Sequence, residues 1–474
     1  MMMDHSLEMR DKSIGRLLWN FSLPAIVGML VNSLYNVIDR IFVGRGIGSL
    51  AIAATTVAFP LMIVLLAVSI FIGVGATALI SIRLGEGKKE EAEKIAGNAI
   101  TMLVLLPALA AGVFFIFSEP ILIACGASPE VLPYAMDFTQ IIMLGAVFGS
   151  ISLGANNFIR AEGNPKVAMY TQLIGAAFNV VFNYIFIFIF GWGMKGSAFA
   201  TILAQAISAA WVLGYFITGR SLVKLRLVNL RPRWVILSGI MAIGFGQFAM
   251  QIAASVQQVI LNNTLTAYGG DLALSAIGIV MSIATLLFMP VLGVAQGAQP
   301  IIGYNYGARQ YKRVGDTWKL AVIAGTGIAL IGYLALHIWP EQLVGLFSES
   351  DVALTAITTH AMLIYMALIP LVGFQIVSAT YFQAVGKARQ AAVLSLSRQV
   401  LFFIPLLVIL PRFWGVEGVW RAAPIADFLA VSLSATMMYY EMRSLRKEAA
   451  RPSPEEQSAA LSTIPPKLCG SESE

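Results

Sequence analysis

The chain repeats itself at an offset of 222 residues, and the register returns at landmark after landmark. Leu50-Ala51-Ile52-Ala53-Ala54 answers to Leu272-Ala273-Leu274-Ser275-Ala276, and Arg83-Leu84-Gly85 to Asn305-Tyr306-Gly307. Trp192-Gly193-Met194-Lys195-Gly196 answers to Trp414-Gly415-Val416-Glu417-Gly418. Both copies are made of long apolar runs, so two copies of one membrane unit are expected side by side. Carriers that open to one side at a time are built in this way, with the site where the two repeats meet.

Crossing a bilayer as a helix takes about 20 apolar residues. The first half offers six such runs, at 17–42, 51–82, 95–117, 133–158, 168–190 and 197–218. The second offers six more, at 234–262, 273–302, 320–339, 353–381, 391–410 and 418–442. Their hydrophobicity is continuous instead of alternating, which selects helices over barrel strands. The expected fold is an all-α membrane protein of twelve transmembrane helices in two pseudo-symmetric six-helix lobes. An N-terminal segment (1–16), a first lobe (17–222), a second lobe (223–447) and a disordered Pro/Ser/Glu-rich tail (448–474) divide the chain. Only 12% of residues are charged and mean hydropathy is +0.80, where a soluble domain has about 25% charged residues.

Lys and Arg fall in alternate connections. Arg10, Lys12 and Arg16, then Arg83, Lys88, Lys89 and Lys94, then Arg160 and Lys166 lie on one side. Arg220 to Arg233, Arg309 to Lys319, Lys387 with Arg389, and Arg443 to Lys447 continue the series on that side. Positive charge stays in the cytoplasm, so both termini are expected there, in a plasma (inner) membrane. The net charge of +6 is then topology, and no clustered basic module invites nucleic acid. Residues 1–16 are charged and do not read as a cleaved signal. Cys125 and Cys469 form no metal or redox motif, and no phosphate loop is present. Transport driven by an ion gradient, without cofactor or enzymatic chemistry, is the expectation; the chain is expected to work as a monomer in the lipid bilayer.

Polar side chains inside the apolar runs are the informative ones, since a mid-bilayer Asp costs about 2.5–3.5 kcal/mol. Asn32, Tyr35, Asn36 and Asp39 share one helical face by their spacing of three and four. They read as a hydrated wall, although Asp39 paired with Arg40 or Arg45 near the headgroups is the plainer alternative. Asn179 and Asn183 stack at i, i+4 in the fifth run, and Thr201 begins the sixth at a matching depth. Carboxylate, amide and hydroxyl oxygens suit a hard cation such as Na⁺; a proton needs the carboxylate alone. The candidate coupling-ion set is Asp39, Asn179, Asn183, Thr201, Tyr35 and Asn36. Interhelical hydrogen bonding is the structural alternative for the amides.

The repeat counterpart of Asp39 is Leu261, so the second half has no acid there. It offers amides instead: Gln247, Gln251 and Gln258 at helical spacing, and Gln375 in the tenth run. With Met289, whose thioether adapts to varied guests, these are the candidate substrate-binding residues. Asp427 is left between pairing with Arg421 and lining a cavity. Asp137 reads as a solvated acid, and His337 and His360 as structural.

The stretch Leu34-Tyr35-Asn36-Val37-Ile38-Asp39-Arg40-Ile41-Phe42-Val43-Gly44 resembles the first-helix signature of MATE (multidrug and toxic compound extrusion) transporters. Arg160-Ala161-Glu162-Gly163-Asn164-Pro165-Lys166, its partner Gln383-Ala384-Val385-Gly386-Lys387-Ala388-Arg389, and Phe374-Gln375-Ile376-Val377-Ser378 extend the resemblance toward the bacterial MepA-like and DinF-like branches. It implies two six-helix lobes around a V-shaped cavity, and export of organic, cationic drugs or metabolites against inward H⁺ or Na⁺. It also implies a first-lobe cation site whose Asp, Asn and Thr correspond to Asp39, Asn179 and Thr201. A second carboxylate of that site is Asn183 here, which favours protons or a weaker Na⁺ site. A flippase for lipid-linked saccharides would need more inward cations than Arg398, and a major-facilitator carrier an acidic-basic signature that 81–94 lacks.

Overall fold

The computed structural model describes residues 12–449 apart from 48, 126, 128, 219–220 and 346–351. The expected tail therefore lies almost wholly outside the described residues. Among the described residues the apolar runs are all helical. They are α1 (Ile14–Gly46), α2 (Ser49–Gly85), α3 (Lys89–Ala124), a bent α4 (Leu132–Leu144 with Ala146–Ala161), α5 (Pro165–Ile189) and α6 (Gly193–Ile217). The second lobe continues with α7 (Trp234–Leu265), α8 (Ser275–Gly307), α9 (Tyr311–Ile338), a bent α10 (Ala353–Tyr365 with Ile369–Ala384), α11 (Ala388–Trp414) and α12 (Val416–Ala449).

The duplication extends to irregularities that apolar patterning does not carry. α4 bends by 55° and α10 by 50°, and their breaks at Gly145 and Ala367 are repeat equivalents. In α10 the cause is local: Pro370 opens the second segment, and it has no N–H to continue the helix before it. In α4 the Ile202 side chain fills the place where Gly145 would carry a Cβ. α5 ends in a π-helical turn at Tyr184–Ile189, and α11 contains one at Ser397–Phe403, at an earlier position in the repeat and not its equivalent. Such turns realign side chains and concentrate at functional positions.

The lobes meet at the face whose loops carry Arg83, Lys88, Arg309 and Lys312, here the basic face. There α2 and α8 cross on the pseudo-twofold axis. Gly85 lies on the Tyr304 carbonyl, and its counterpart Gly307 lies on the carbonyl of Ile82, the counterpart of Tyr304. One layer deeper, Gly75 packs on the backbone of Ile240 and Gly244, and its counterpart Gly297 packs on Ser22, the counterpart of Gly244. A Cβ at either layer would strike backbone, so only glycine permits this approach.

Core packing divides the same way. In the basic half the first-lobe core takes in Ile240, Ile301 and Tyr304 of the second lobe, and the second-lobe core takes in Leu18 of the first. In the opposite half each core belongs to one lobe: Phe114, Leu122 and Phe138 in one, Leu265, Phe403 and Trp420 in the other. Phe59, Val256 and Val259 in that half remain exposed. The lobes are joined at the basic face and have separate cores beyond it. Exposed Ile116, Ile323 and Ile331 on the outer surface suit lipid, not water.

The connection after α6 is strapped beneath the first lobe. Buried Glu162 accepts from the Ser221 hydroxyl, from the Leu222 and Val223 backbone N–H groups (3.1 and 3.2 Å) and from the Tyr215 hydroxyl (3.3 Å). Further along, Asn98 donates to the Asn229 carbonyl (3.1 Å), Thr101 to the Leu230 carbonyl (2.7 Å), and the Arg233 N–H donates to Asn98 Oδ1 (2.6 Å). Arg226 pairs with buried Glu93 at 3.2 Å.

Candidate functional site

α1, α2, α4, α5 and α6 enclose a cavity of ≈ 370 Å³ wholly within the first lobe, a volume in the range of small-molecule sites. Its wall is apolar on the α2 side (Phe59, Met62, Leu66) and polar on α5 and α6. Helical periodicity produces that polar strip: Gln172, Ala176 and Asn179 lie on one face of α5, and Thr201, Gln205 and Ser208 on one face of α6. Among the described residues lining the cavity, Asp39 is the ionisable one.

A chain of hydrogen bonds runs from that carboxylate across three helices. Asn183 Nδ2 donates to Asp39 Oδ1 at 2.7 Å and to Asn179 Oδ1 at 3.0 Å. Asn179 Nδ2 donates to Thr201 Oγ1 at 3.4 Å, and the Thr201 hydroxyl donates to the Ser197 carbonyl at 3.1 Å. Asn183 closes the regular part of α5, and the π-helical turn starts at the next residue. Its own Oδ1 is buried without a hydrogen-bond partner, an expensive state for an amide oxygen. The oxygens of Asp39, Asn179, Asn183 and Thr201 are thus gathered where a proton or a small hard cation could be taken up.

Four of the six coupling-ion candidates come together in this way. The side chains of Tyr35 and Asn36, with those of Asn32, Arg40 and Arg45, lie outside the described residues. The five second-lobe candidates stand apart from the cavity. Gln375 is buried with Oε1 unpartnered, Gln247, Gln251 and Met289 are half-buried, and exposed Gln258 donates to Asn262 at 2.8 Å. Asp427 adopts neither arrangement left open by the sequence: it pairs with Arg398, while Arg421 lies 3.7 Å from Glu417 and over the Trp414 ring. Asp137 pairs with Lys195 at 3.4 Å in an exposed setting, and His360 lies 2.6 Å from Glu417.

Sequence reasoning missed the inner end of the cavity. Arg160 of α4, almost fully buried, donates through Nη1 to Gln296 of α8 and, with the Gln172 amide turned so that its oxygen faces the guanidinium, through Nη2 to that oxygen (3.0 Å). The Gln172 nitrogen donates to the Gly28 carbonyl of α1 at 2.8 Å. One guanidinium therefore joins the cavity wall to the opposite lobe. The signal was available: Gln172 falls seven residues before Asn179, on the face already singled out.

Comparison with known proteins agrees with this architecture. The family model MatE matches residues 24–185 and again 248–409, one match per lobe. The multidrug export protein MepA of Staphylococcus aureus (strain N315) is 27% identical over 443 residues, covering 93% of this chain and 97% of the relative. MepA of Staphylococcus haemolyticus (strain JCSC1435) is 25% identical over 429 residues, covering 90% and 94%. Among solved structures, a MATE protein in a bent conformation superposes with a TM-score of 0.89 at 22% identity, covering 95% and 100%. The outward-facing conformation of a multidrug resistance MATE transporter of the MOP superfamily superposes at 0.87 with 23% identity, covering 93% and 99%.

Proposed function

The chain belongs to the MATE family of membrane transporters, and from that premise we propose that it is an antiporter exporting organic monocations in exchange for inward H⁺. The observation that carries this reading is Asp39, the ionisable group among the described residues of the cavity wall, hydrogen-bonded to Asn183 at 2.7 Å. One carboxylate neutralises one positive charge, so a proton and a singly charged cargo compete for it. Loading the proton removes the attraction that holds the cargo, and cargo binding displaces the proton. A Na⁺ ion would draw on the oxygens of Asp39, Asn179, Asn183 and Thr201, but with a single acid that set is weak for a hard cation.

The protein sits in the plasma membrane with both termini cytoplasmic, as the Lys and Arg distribution supports. The described state, joined at the basic face, is then open to the exterior. Return to the inward state requires release of the glycine crossings of α2 and α8 and of Arg160 from Gln296. Gln247, Gln251, Gln258, Met289 and Gln375 supply the second-lobe wall that cargo passes as it leaves, and the monomer is the working unit.

The test is transport of several organic cations into inverted vesicles under imposed pH or Na⁺ gradients, comparing Asp39→Asn with the parent. Loss of gradient-driven transport in the variant, with the parent answering to the pH gradient, is the expected outcome. Unchanged transport by Asp39→Asn removes the residue from the mechanism. A parent that answers to Na⁺ alone replaces the proton by Na⁺.

A further inference from the structure

Within the second lobe, Arg398 of α11 pairs with Asp427 of α12. Asp427 is 2% exposed, and Tyr365, buried at the bend of α10, lies close enough to feel both charges. Removing two ions from water carries a desolvation cost that mutual attraction commonly fails to recover. Packing needs alone therefore do not account for this pair in an otherwise apolar core.

Its position in the repeat supplies a reason. Asp427 corresponds to Gln205, and Arg398 to Gly175 or Ala176, since the two lobes shift by one residue within this helix. All three first-lobe residues line the cavity described above. The place that is hollow in the first lobe is filled, in the second, by a guanidinium held on a carboxylate.

We propose that Arg398 is a tethered cation: it permanently occupies a second-lobe site that is the counterpart of the first-lobe cavity. Asp427 is then a latent site for a guanidinium-type organic monocation, closed by the chain's own side chain. Taken with the function proposed above, on which this part rests, the arrangement leaves ion exchange to Asp39 of the first lobe. The pair is electrically neutral and adds no ion to the cycle.

The experiment removes the tether and offers a free replacement. Purified parent, Arg398→Ala, Arg398→Ala with Asp427→Asn, and Arg398→Ala with Asp39→Asn are melted in millimolar guanidinium chloride, against the same concentration of sodium chloride. At about tenfold saturation, guanidinium should raise the melting midpoint of Arg398→Ala by roughly 2–4 °C. The same rise is expected with Asp39→Asn added, and none in the parent or with Asp427→Asn added. Arg398→Gln, which keeps an amide donor for Asp427 without the charge, serves if the alanine variant does not fold. Equal response with and without Asp427, or no response in either tether-free variant, overturns the proposal. The transport test of Asp39→Asn is read separately: its failure beside a positive guanidinium shift removes the antiport reading and leaves the latent site standing.

Discussion

The two lobes share a backbone plan and differ in where they put charge. In the first, a cavity of ≈ 370 Å³ carries one carboxylate among amides and hydroxyls. In the second, the equivalent place holds Arg398 on Asp427 and the core around it is packed by Phe403, Leu407, Trp420 and Tyr365. The bends of α4 and α10 and the reciprocal glycine crossings show that duplication preserved the helix geometry. The difference teaches that side chains, not helix arrangement, decide which half is responsive. An acid on a cavity wall can exchange its cation, whereas Asp427 has a cation supplied by the chain itself.

The sharpest way to break this comparison after Asp39→Asn is to strip the pair in the second lobe. Asp427→Asn leaves Arg398, which is half-buried, as an uncompensated charge and should cost about 3 kcal/mol of stability, the low end for a broken buried pair. The apolar double substitution Asp427→Leu with Arg398→Met should recover most of that loss, read as the melting midpoint of each variant. If the double variant is as unstable as the single one, the pair is a packing element and the contrast between the lobes weakens.

Next comes the strap beneath the first lobe. Burial lifts the Glu162 carboxyl from its usual 4.5 to about 7, against the opposing bonds from Ser221, Leu222, Val223 and Tyr215. The folded chain therefore holds a proton that the unfolded chain has released, and stability falls as pH rises from about 4.5 to about 7, then levels. The contribution is roughly 3 kcal/mol. Glu162→Gln should flatten that decline relative to the parent when melting is followed from pH 5 to pH 8. The second lobe has Val385 at this place in the motif, a side chain that does not titrate, so the effect belongs to one lobe.

Smaller effects probe the symmetric part. Gly85→Ala and Gly307→Ala each push a Cβ into the facing backbone and should cost about 1–3 kcal/mol. Because the crossing is reciprocal, the two should be alike and should shift the population away from closure at the basic face. Accessibility of cysteines placed along α2 to a membrane-impermeant thiol reagent reports that shift. Unequal effects would show that the pseudo-twofold axis is not shared energetically. Thr201→Ala is the mildest: its long bond from Asn179 suggests a loss near 0.6 kcal/mol, visible in cation competition more than in melting.

Much of the first-lobe site was legible in the chain. Asp39, Asn179, Asn183 and Thr201 are polar residues in apolar runs, at helical spacing and matched depth, and the fold brings all four into one hydrogen-bonded line. Arg160 escaped because it sits beside a loop, where a basic residue reads as topology. Its burial and its hold on Gln296 arise from a second lobe more than a hundred residues away. Asp427 was noticed, but the nearby chain offered it Arg421, whereas the partner it takes, Arg398, is on a different helix.

The duplication, the twelve helices and the polar faces were determined by the sequence alone, because helix formation and membrane burial depend on neighbours a few positions apart. Which lobe keeps a cavity, which acid is already matched and where the halves close were decided by tertiary structure. Those outcomes depend on side chains from separate helices competing for the same few ångströms of space, and no local pattern records who arrives first.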